Sequence, residues 1–185
     1  MRLFTGIEIP EDVVDSLNSL LDGLRPIAQL KWTAPYNFHL TTKFIGEWPE
    51  DRLTELIDVL RPIGRRGPIP SVDVEGIGWF PNAHSPRILW TGINAGPDLA
   101  TLAADTDAAL ARIGVPKETK KFAPHLTLGR VKDVVPLSPL RQAIAKLDSP
   151  HFGSFSVTCF HLFESKPGPS GSIYTKISEV PLVIE

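Results

Sequence analysis

Two segments of the chain place a histidine two residues before a threonine: His39 with Thr41, and His125 with Thr127. Both segments are rich in β-branched, leucine and aromatic residues, which predicts strands. Side chains two residues apart leave the same face of a strand, so each imidazole is expected beside a hydroxyl. The two histidines are 86 residues apart, and we interpret the pair as a duplicated fold that brings both to one cleft.

Paired imidazoles with neighbouring hydroxyls suit acid–base chemistry on a phosphate. Hydrolysis of a phosphodiester needs a base that takes a proton from the attacking oxygen and an acid that protonates the leaving oxygen. Because histidine titrates near neutral pH, two histidines can hold opposite protonation states at once. Threonine hydroxyls can donate hydrogen bonds to the phosphate oxygens on which charge builds. A strained cyclic phosphate would need no metal, since its ring already favours opening.

Other chemistries fit the sequence less well. A histidine–threonine strand can be ordinary sheet surface, but two copies in a repeated architecture favour a site. The motif strands contain no Asp, Glu or Cys, so zinc would lack ligands, and we predict neither a metal nor a cofactor. The sequence has no nucleophile elbow, Walker loop or dinucleotide fingerprint. Cys159 lies in an apolar run and is expected to be a buried, inert thiol; His84, His151 and His161 are expected to be structural or surface residues.

Size and charge indicate one soluble domain. The chain has 185 residues, 42% of them hydrophobic and 22% charged, and no apolar run approaches the roughly 20 residues of a membrane-spanning helix. Glu8 and Pro10 come too early for a signal-peptide core, so we expect a cytoplasmic protein. The net charge of −2 argues against coating long nucleic acid. A basic cluster beside the second motif would still help to capture a small anionic end: Lys117, Lys120, Lys121, Arg130 and Lys132.

The order of predicted elements repeats. In the first half it is a strand (Arg2–Ile9), a helix opened by Pro10, the first motif strand, a helix opened by Pro49 and a strand (Val72–Trp79). In the second half it is a strand (Arg87–Ile93), a helix opened by Pro97, the second motif strand, a helix capped by Ser138 with Pro139, and a strand (Phe155–Phe163). Two further strands are predicted near Ile173–Ile177 and Val180–Ile184. We predict an α+β fold: a single bilobal domain over residues 1–185 with duplicated β-α-β-α-β halves, about 1–80 and 87–185, whose lobes interleave and whose two mainly antiparallel sheets face a central cleft.

The chain resembles the 2H phosphoesterase superfamily, and within it the RNA 2′,3′-cyclic phosphodiesterases, also called LigT-like or 2′-5′ RNA ligase proteins. The likeness runs nearly end to end, through Arg2–Phe4, Asn37–Thr41, Phe44–Glu47, Arg87–Trp90, Pro124–Leu128 with Arg130, and Glu164–Ser165 with Tyr174–Thr175. One departure is Thr42, where the family more usually has Leu. We expect Thr42 to point away from the His39 face and to change packing without loss of activity.

The resemblance implies a mechanism and a substrate. His39 would protonate the departing 3′ oxygen of a ribose 2′,3′-cyclic phosphate, and His125 would take the proton from water. Thr41 and Thr127 would hold the phosphate oxygens, and the product would be a 2′-phosphate. The reverse reaction would join RNA ends by a 2′-5′ linkage. The residues alone do not distinguish the acid from the base.

Three further residues are candidates for substrate binding. Arg130 suits a phosphate or ribose contact, although strict alternation places it opposite His125, so that it needs a twist or bulge to reach the cleft. Lys43 is expected on the face of His39 and Thr41, either near the phosphate or as a solvated edge lysine. Phe44 could stack on a terminal base, but alternation favours a place in the core.

The expected partners are RNA 3′ ends that carry a cyclic phosphate, tRNA halves among them, with no membrane association and a monomeric protein. Two alternatives stay open. One is a hydrolase of small cyclic phosphates or 2′-5′ oligonucleotides, for which a closed pocket would be typical. The other is a module that binds RNA ends without turnover.

Overall fold

Within residues 1–184, which the computed structural model of the protein describes, the chain forms nine strands and four α-helices. The strands are β1 (Arg2–Glu8), β2 (Lys31–Trp32), β3 (His39–Glu47), β4 (Ile69–Phe80), β5 (Ile88–Asn94), β6 (His125–Arg130), β7 (His151–Val157), β8 (Cys159–Gly168) and β9 (Gly171–Pro181). The helices are α1 (Glu11–Leu24), α2 (Leu53–Leu60), α3 (Gly96–Ala111) and α4 (Ser138–Ala145), with short 3₁₀ turns at Pro35–Asn37, Glu50–Arg52 and Arg61–Arg65. No helix among these residues has the length and apolarity that crossing a bilayer requires.

The strands form two antiparallel sheets, in the orders β3-β1-β8-β9 and β2-β6-β5-β4-β7. The predicted α+β class with two antiparallel sheets is confirmed. Neither sheet comes from one half of the chain alone, because β8 and β9 extend the sheet of the first motif while β4 extends the sheet of the second. Each motif strand therefore lies at or near an edge of its own sheet: β3 is an edge strand, and β6 is covered only by the short β2.

The helices follow from their apolar spacing. In α1 the residues Val13, Leu17, Leu21 and Leu24 are buried and recur every three or four positions, as an amphipathic helix requires. Pro10 precedes the helix, and its carbonyl oxygen accepts hydrogen bonds from the amides of Val13 and Val14.

Two predicted helix starts need correction. The segment after Pro49 begins with the 3₁₀ turn, and α2 starts only at Leu53. Ser138 is the first residue of α4, and its hydroxyl caps nothing, because Leu137 occupies the capping position without a side-chain hydrogen bond.

The C-terminal strands also differ from the prediction. The predicted strand Phe155–Phe163 is two strands, since the chain leaves β7 at Thr158 and enters β8 in the other sheet. The two short strands expected after Ile173 are one strand, β9, which pairs with β8 along its whole length. The alternation of apolar residues does not change where the chain passes from one sheet to the other. The pattern alone therefore predicts one continuous strand where the fold has two.

A leucine between the members of each motif fixes the motif strand in the core. Leu40 lies between His39 and Thr41, Leu126 lies between His125 and Thr127, and both leucines are fully buried. Burial of each leucine contributes about 1.5–3 kcal/mol. With leucine facing the core, alternation turns the histidine and threonine to the opposite face.

Candidate active site

Both motifs line one cleft between the two sheets. The cleft has a volume of about 960 Å³, and its walls include His39, Thr41, His125 and Thr127. The motif strands β3 and β6 contact each other although they belong to different sheets. The structure therefore brings together the four residues that carry the predicted chemistry.

A β-bulge interrupts each motif strand just after its threonine. In β3 the register against β1 shifts between the pairs Gly6–Thr41 and Thr5–Lys43, which leaves Thr42 without a partner. In β6 the register against β5 shifts between the pairs Trp90–Thr127 and Leu89–Gly129, which leaves Leu128 without one. An extra residue inverts the alternation of every side chain beyond it.

The bulges turn the fifth residue after each histidine toward the cleft. These residues are Phe44 and Arg130, and both line the cleft. Phe44 is 63% exposed, so the expectation of a core position is wrong. Arg130 reaches the cleft by the bulge that the sequence required. Each half thus places a histidine, a threonine and the fifth residue after the histidine around the cleft. That fifth residue is an aromatic ring in one half and a guanidinium in the other.

The same bulge buries Lys43, which still lines part of the cleft. This residue pairs with Thr5 rather than sharing the face of Thr41, and its side chain is only 5% exposed. The ammonium lies 2.6 Å from Asp107 Oδ1 and donates to the Pro116 carbonyl oxygen (2.8 Å). The expected shared face is wrong, and the charge of Lys43 is already neutralised by Asp107.

Thr42 is buried with its hydroxyl 2.7 Å from the Thr5 hydroxyl. A buried hydroxyl without a partner would be costly, and each of these satisfies the other. The departure from leucine at Thr42 is thus matched by a second polar residue on β1.

Both catalytic candidates are held by the carbonyl two residues earlier. Nδ1 of His39 donates to the Asn37 carbonyl oxygen (2.7 Å), and Nδ1 of His125 donates to the Ala123 carbonyl oxygen (2.8 Å). Asn37 is itself tied to β9, because its side-chain amide donates to the Ser172 carbonyl oxygen (2.8 Å). A carbonyl oxygen can only accept, so the proton sits on Nδ1 and Nε2 of each neutral ring is left for chemistry.

Aromatic rings surround His39. Phe4 and Tyr174 lie 4.8 and 4.7 Å from its ring centre, and Phe163 lies 6.2 Å away. Burial lowers the pKa of His39, against the opposing effect of its hydrogen bond to the Asn37 carbonyl. Nε2 lies 3.1 Å from the Thr41 hydroxyl oxygen, so in the neutral ring this hydroxyl donates to Nε2.

His125 is supported from the second sheet. The rings of Phe80 and His125 form a T-shaped pair at a centroid distance of 5.0 Å, and Phe80 packs on Trp90 at 5.2 Å. The indole of Trp90 covers Gly78 on the neighbouring strand, where a Cβ atom would overlap the ring. The absence of a side chain at Gly78 thus allows the aromatic stack that supports His125.

Replacing Gly78 with alanine should displace Trp90 and with it Phe80. Overpacking of this kind costs about 1–3 kcal/mol, and we expect a lower melting temperature together with reduced turnover. The matched control is Gly23→Ala in α1, where nothing lies within 4 Å of the added methyl group and stability should rise by about 0.5–1 kcal/mol. A Gly78→Ala protein that melts like the wild type would show that the stack is loosely held.

The aromatic residues Phe4, Tyr174, Phe80 and Trp90 were not predicted as part of the site. Three of them stand in segments that carry the family resemblance, and that position is the one signal the sequence offers for a functional role. The carbonyls of Asn37 and Ala123 leave no such signal, because any residue supplies a carbonyl oxygen.

The remaining histidines and the cysteine lie outside the cleft. His84 is exposed, and His151 lies 3.4 Å from Asp73 at the far end of the second sheet. His161 is buried in the first sheet beside Glu179. Cys159 is half-buried, so the expectation of a buried thiol is wrong.

Charged side chains of the α3–β6 connection line part of the cleft. Lys120 and Lys121 line the cleft, together with Asp107 and Glu118. Both carboxylates already have partners: Asp107 binds Lys43 and the Glu118 amide, while Glu118 accepts from the amides of Thr119 and Lys120. Lys43, Lys120 and Lys121 outnumber these two carboxylates, so this part of the cleft carries a net positive charge.

A family model described as LigT like Phosphoesterase matches the chain twice, over residues 7–90 and 93–174. The two matched segments correspond to the two halves around His39 and His125.

Similar proteins cover almost the whole chain. A protein of Methanocaldococcus jannaschii named RNA 2′,3′-cyclic phosphodiesterase is 31% identical over 97% of this chain and 99% of its own length. A protein of the same name from Archaeoglobus fulgidus is 32% identical over 94% and 96%. Among solved structures, a Thermus thermophilus protein superposes with a TM-score of 0.83 at 28% identity over all of both chains. The E. coli LigT structure complexed with 3′-AMP has the same fold, with a TM-score of 0.80 at 24% identity over 98% and 97%.

Proposed function

The chain belongs to the LigT-like phosphoesterase family, and on that premise we propose that it hydrolyses the 2′,3′-cyclic phosphate at the 3′ end of RNA. The observation that carries the proposal is the presence of His39 and His125 in one cleft, each with its Nδ1 held by a backbone carbonyl and a threonine two residues further along the strand. The names of its relatives support the substrate class. Both motifs come from one chain, so a monomer is sufficient for the reaction.

In the proposed mechanism water attacks the phosphorus atom. Nε2 of His125 takes a proton from the water, and Nε2 of protonated His39 gives a proton to the departing 3′ oxygen. The bond from phosphorus to the 3′ oxygen breaks as the bond to the water oxygen forms, and a 2′-phosphate results. Thr41 and Thr127 donate hydrogen bonds to the two non-bridging oxygens as their charge grows. His39 finishes neutral and His125 finishes protonated, and proton exchange with solvent restores the starting state. If the 5′-hydroxyl of a second RNA takes the place of water, the same proton transfers open the cyclic phosphate and join the two ends by a 2′-5′ linkage.

We further propose that no metal takes part. The ring nitrogens in the cleft have hydroxyls beside them, and the cleft carboxylates of Asp107 and Glu118 are engaged by Lys43 and by backbone amides. The test is an assay in EDTA on a short RNA that ends in a 2′,3′-cyclic phosphate. Conversion to the 2′-phosphate supports the proposal; release of a 3′-phosphate would mean that the other oxygen leaves, and no turnover between pH 5 and 9 would favour a binding role.

The difference between Phe44 and Arg130 supports a direction for the RNA. In the proposed complex the ring of Phe44 stacks on the terminal base, while Arg130 contacts the phosphate or the ribose from the opposite half. Lys120 and Lys121 also line the cleft, and in the proposed complex they contact the phosphates that precede the terminal nucleotide. A few cationic groups confined to one cleft suit a strand terminus better than a long duplex.

Replacing Phe44 with alanine should weaken binding of the RNA end. Loss of base stacking costs about 1–3 kcal/mol, so KM should rise roughly 5- to 150-fold with a smaller change in kcat. The matched control is Tyr36→Ala, since Tyr36 is an aromatic residue that is 76% exposed and stands outside the residues that line the cleft. On an RNA whose terminal ribose carries no base, wild type and Phe44→Ala should have the same KM. If Phe44→Ala raised KM equally on that substrate, the result would contradict stacking.

The lowered pKa of His39 predicts the pH dependence. An acid must be protonated, so kcat/KM should fall as the pH rises through the pKa of free His39, which lies below the usual value of about 6.5. A bound phosphate anion stabilises the imidazolium, so the corresponding fall in kcat should come at higher pH. Rate profiles from pH 5 to 9 measure both.

A Tyr174→Leu variant tests which limb of the profile belongs to His39. Tyr174 packs on the His39 ring, and its loss lets water reach the imidazole and raises the pKa. The high-pH limb of kcat/KM should then move upward toward the usual histidine value. Movement of the low-pH limb instead would make His39 the base and would reverse the assignment.

A further inference from the structure

Four groups suited to binding a metal meet on one face of the first sheet. Cys159 and His161 are two residues apart on β8 and leave the same face, and Glu179 pairs with His161 from β9. On the other side, Gly6 of β1 pairs with His161, so Glu8 belongs to the same face. Three adjacent strands thus supply a thiol, an imidazole and two carboxylates.

The ligand atoms are close together. One atom each from Cys159, His161 and Glu179 lies within 4.8 Å of the others, and this is the one such group of three among residues 1–184. Nε2 of His161 lies 3.1 Å from Glu179 Oε2 and 3.9 Å from Glu8 Oε2. Ligands around a tetrahedral zinc ion lie roughly 3.3–3.8 Å apart, from the usual Zn–N and Zn–S bond lengths. The carboxylates are on half-exposed side chains, so rotation of these alone can close much of the remaining distance.

His161 is the buried member of this group. Its side chain is only 2% exposed, and Nε2 is the ring nitrogen that faces both carboxylates. Nε2 is therefore the nitrogen that would bind an ion together with Glu179 and Glu8. Nδ1 has no hydrogen-bond partner, so no hydrogen bond at Nδ1 holds the ring to one tautomer.

We propose that Cys159, His161 and Glu179, with Glu8 as the fourth group, form a zinc site that ties β1, β8 and β9 together. Thiolate, imidazole and carboxylate are the three ligand types that zinc prefers. Glu8 at present holds Lys176 at 2.8 Å and would exchange that partner for the ion. The expected role is structural, because Cys159, His161, Glu179 and Glu8 stand outside the residues that line the catalytic cleft.

The test uses cobalt as a spectroscopic substitute for zinc. Cys159 is the sole cysteine, so a thiolate-to-cobalt absorption band in the near ultraviolet can arise only there. Metal-stripped wild type should bind one Co²⁺ per chain with this band, and Zn²⁺ should displace it and raise the melting temperature. Cys159→Ser should abolish the band, and Glu179→Gln, at an exposed position, should weaken binding at least about tenfold.

The control is His151→Gln, which removes the histidine beside Asp73 in the other sheet and should leave binding unchanged. Absence of the band would overturn the proposal. The proposal would also be overturned if Glu179→Gln and Glu8→Gln bound Co²⁺ as tightly as the wild type, because the thiol would then be binding cobalt without the carboxylates. Hydrolysis in EDTA is measured separately, so failure here leaves the proposed activity untouched.

Discussion

Alanine in place of His125 should lower kcat on an RNA 2′,3′-cyclic phosphate by about 10²- to 10⁴-fold, the usual contribution of one positioned proton transfer. Water would then attack without a base, while the phosphate would still bind through Thr41, Thr127 and Arg130. KM should therefore change far less than kcat. Steady-state assays in EDTA with chromatographic separation of the 2′- and 3′-phosphates measure both quantities.

The matched control is His84→Ala, which removes an exposed histidine outside the cleft and should leave kcat unchanged. Melting followed by circular dichroism checks that the His125→Ala protein is folded. His125 is only half-buried, so we expect little change in stability. A folded His125→Ala protein with wild-type turnover would exclude His125 from the chemistry.

The corresponding His39→Ala variant should lose a similar factor, and the double variant should lose little more than either single one. An acid and a base that act in one step depend on each other, so their losses do not add. Independent losses that multiply would indicate two separate roles, such as binding by one histidine and catalysis by the other.

The placement of the four motif side chains in one cleft could be predicted from the sequence because it depends on spacing that strands preserve. A histidine and a threonine two residues apart share a face in any regular strand, and a leucine between them fixes which face is buried. Beyond the bulges this reasoning fails. Lys43 and Phe44 exchanged their predicted faces because one unpaired residue, Thr42, inverted the alternation. The sequence of β3 alone does not predict that bulge, because the bulge arises from pairing with β1.

Contacts between segments that are distant in the sequence could not be predicted for the same reason. Tyr174 packs on His39, and the Asn37 side chain binds the Ser172 carbonyl, because β9 belongs to the sheet of the first motif. Periodicity shows that a segment is a strand but not which strand it pairs with. The lowered pKa of His39 depends on these contacts and therefore could not be predicted from the residues around the motif.

Valine in place of Thr127 should lower kcat by about 10²- to 10³-fold, the usual cost of losing one donor to the developing oxyanion. Valine keeps the shape and strand preference of threonine, so the loss reports the hydroxyl alone. Thr127→Ser restores a hydroxyl and should recover most of the rate. Thr41→Val should cost at least as much, because Thr41 also hydrogen-bonds Nε2 of His39.

Sulfur substitution in the substrate distinguishes the two threonines. A 2′,3′-cyclic phosphorothioate exists as two diastereomers, each with sulfur at one of the non-bridging positions, and sulfur is a poor acceptor for a hydroxyl. Thr41 and Thr127 come from opposite halves of the cleft, so each should contact a different non-bridging atom. Thr127→Val should therefore erase the rate difference between oxygen and sulfur for one diastereomer, and Thr41→Val should erase it for the other. If both variants erase the difference for the same diastereomer, the two hydroxyls share one oxygen, and the two-fold arrangement of the site around the phosphate is wrong.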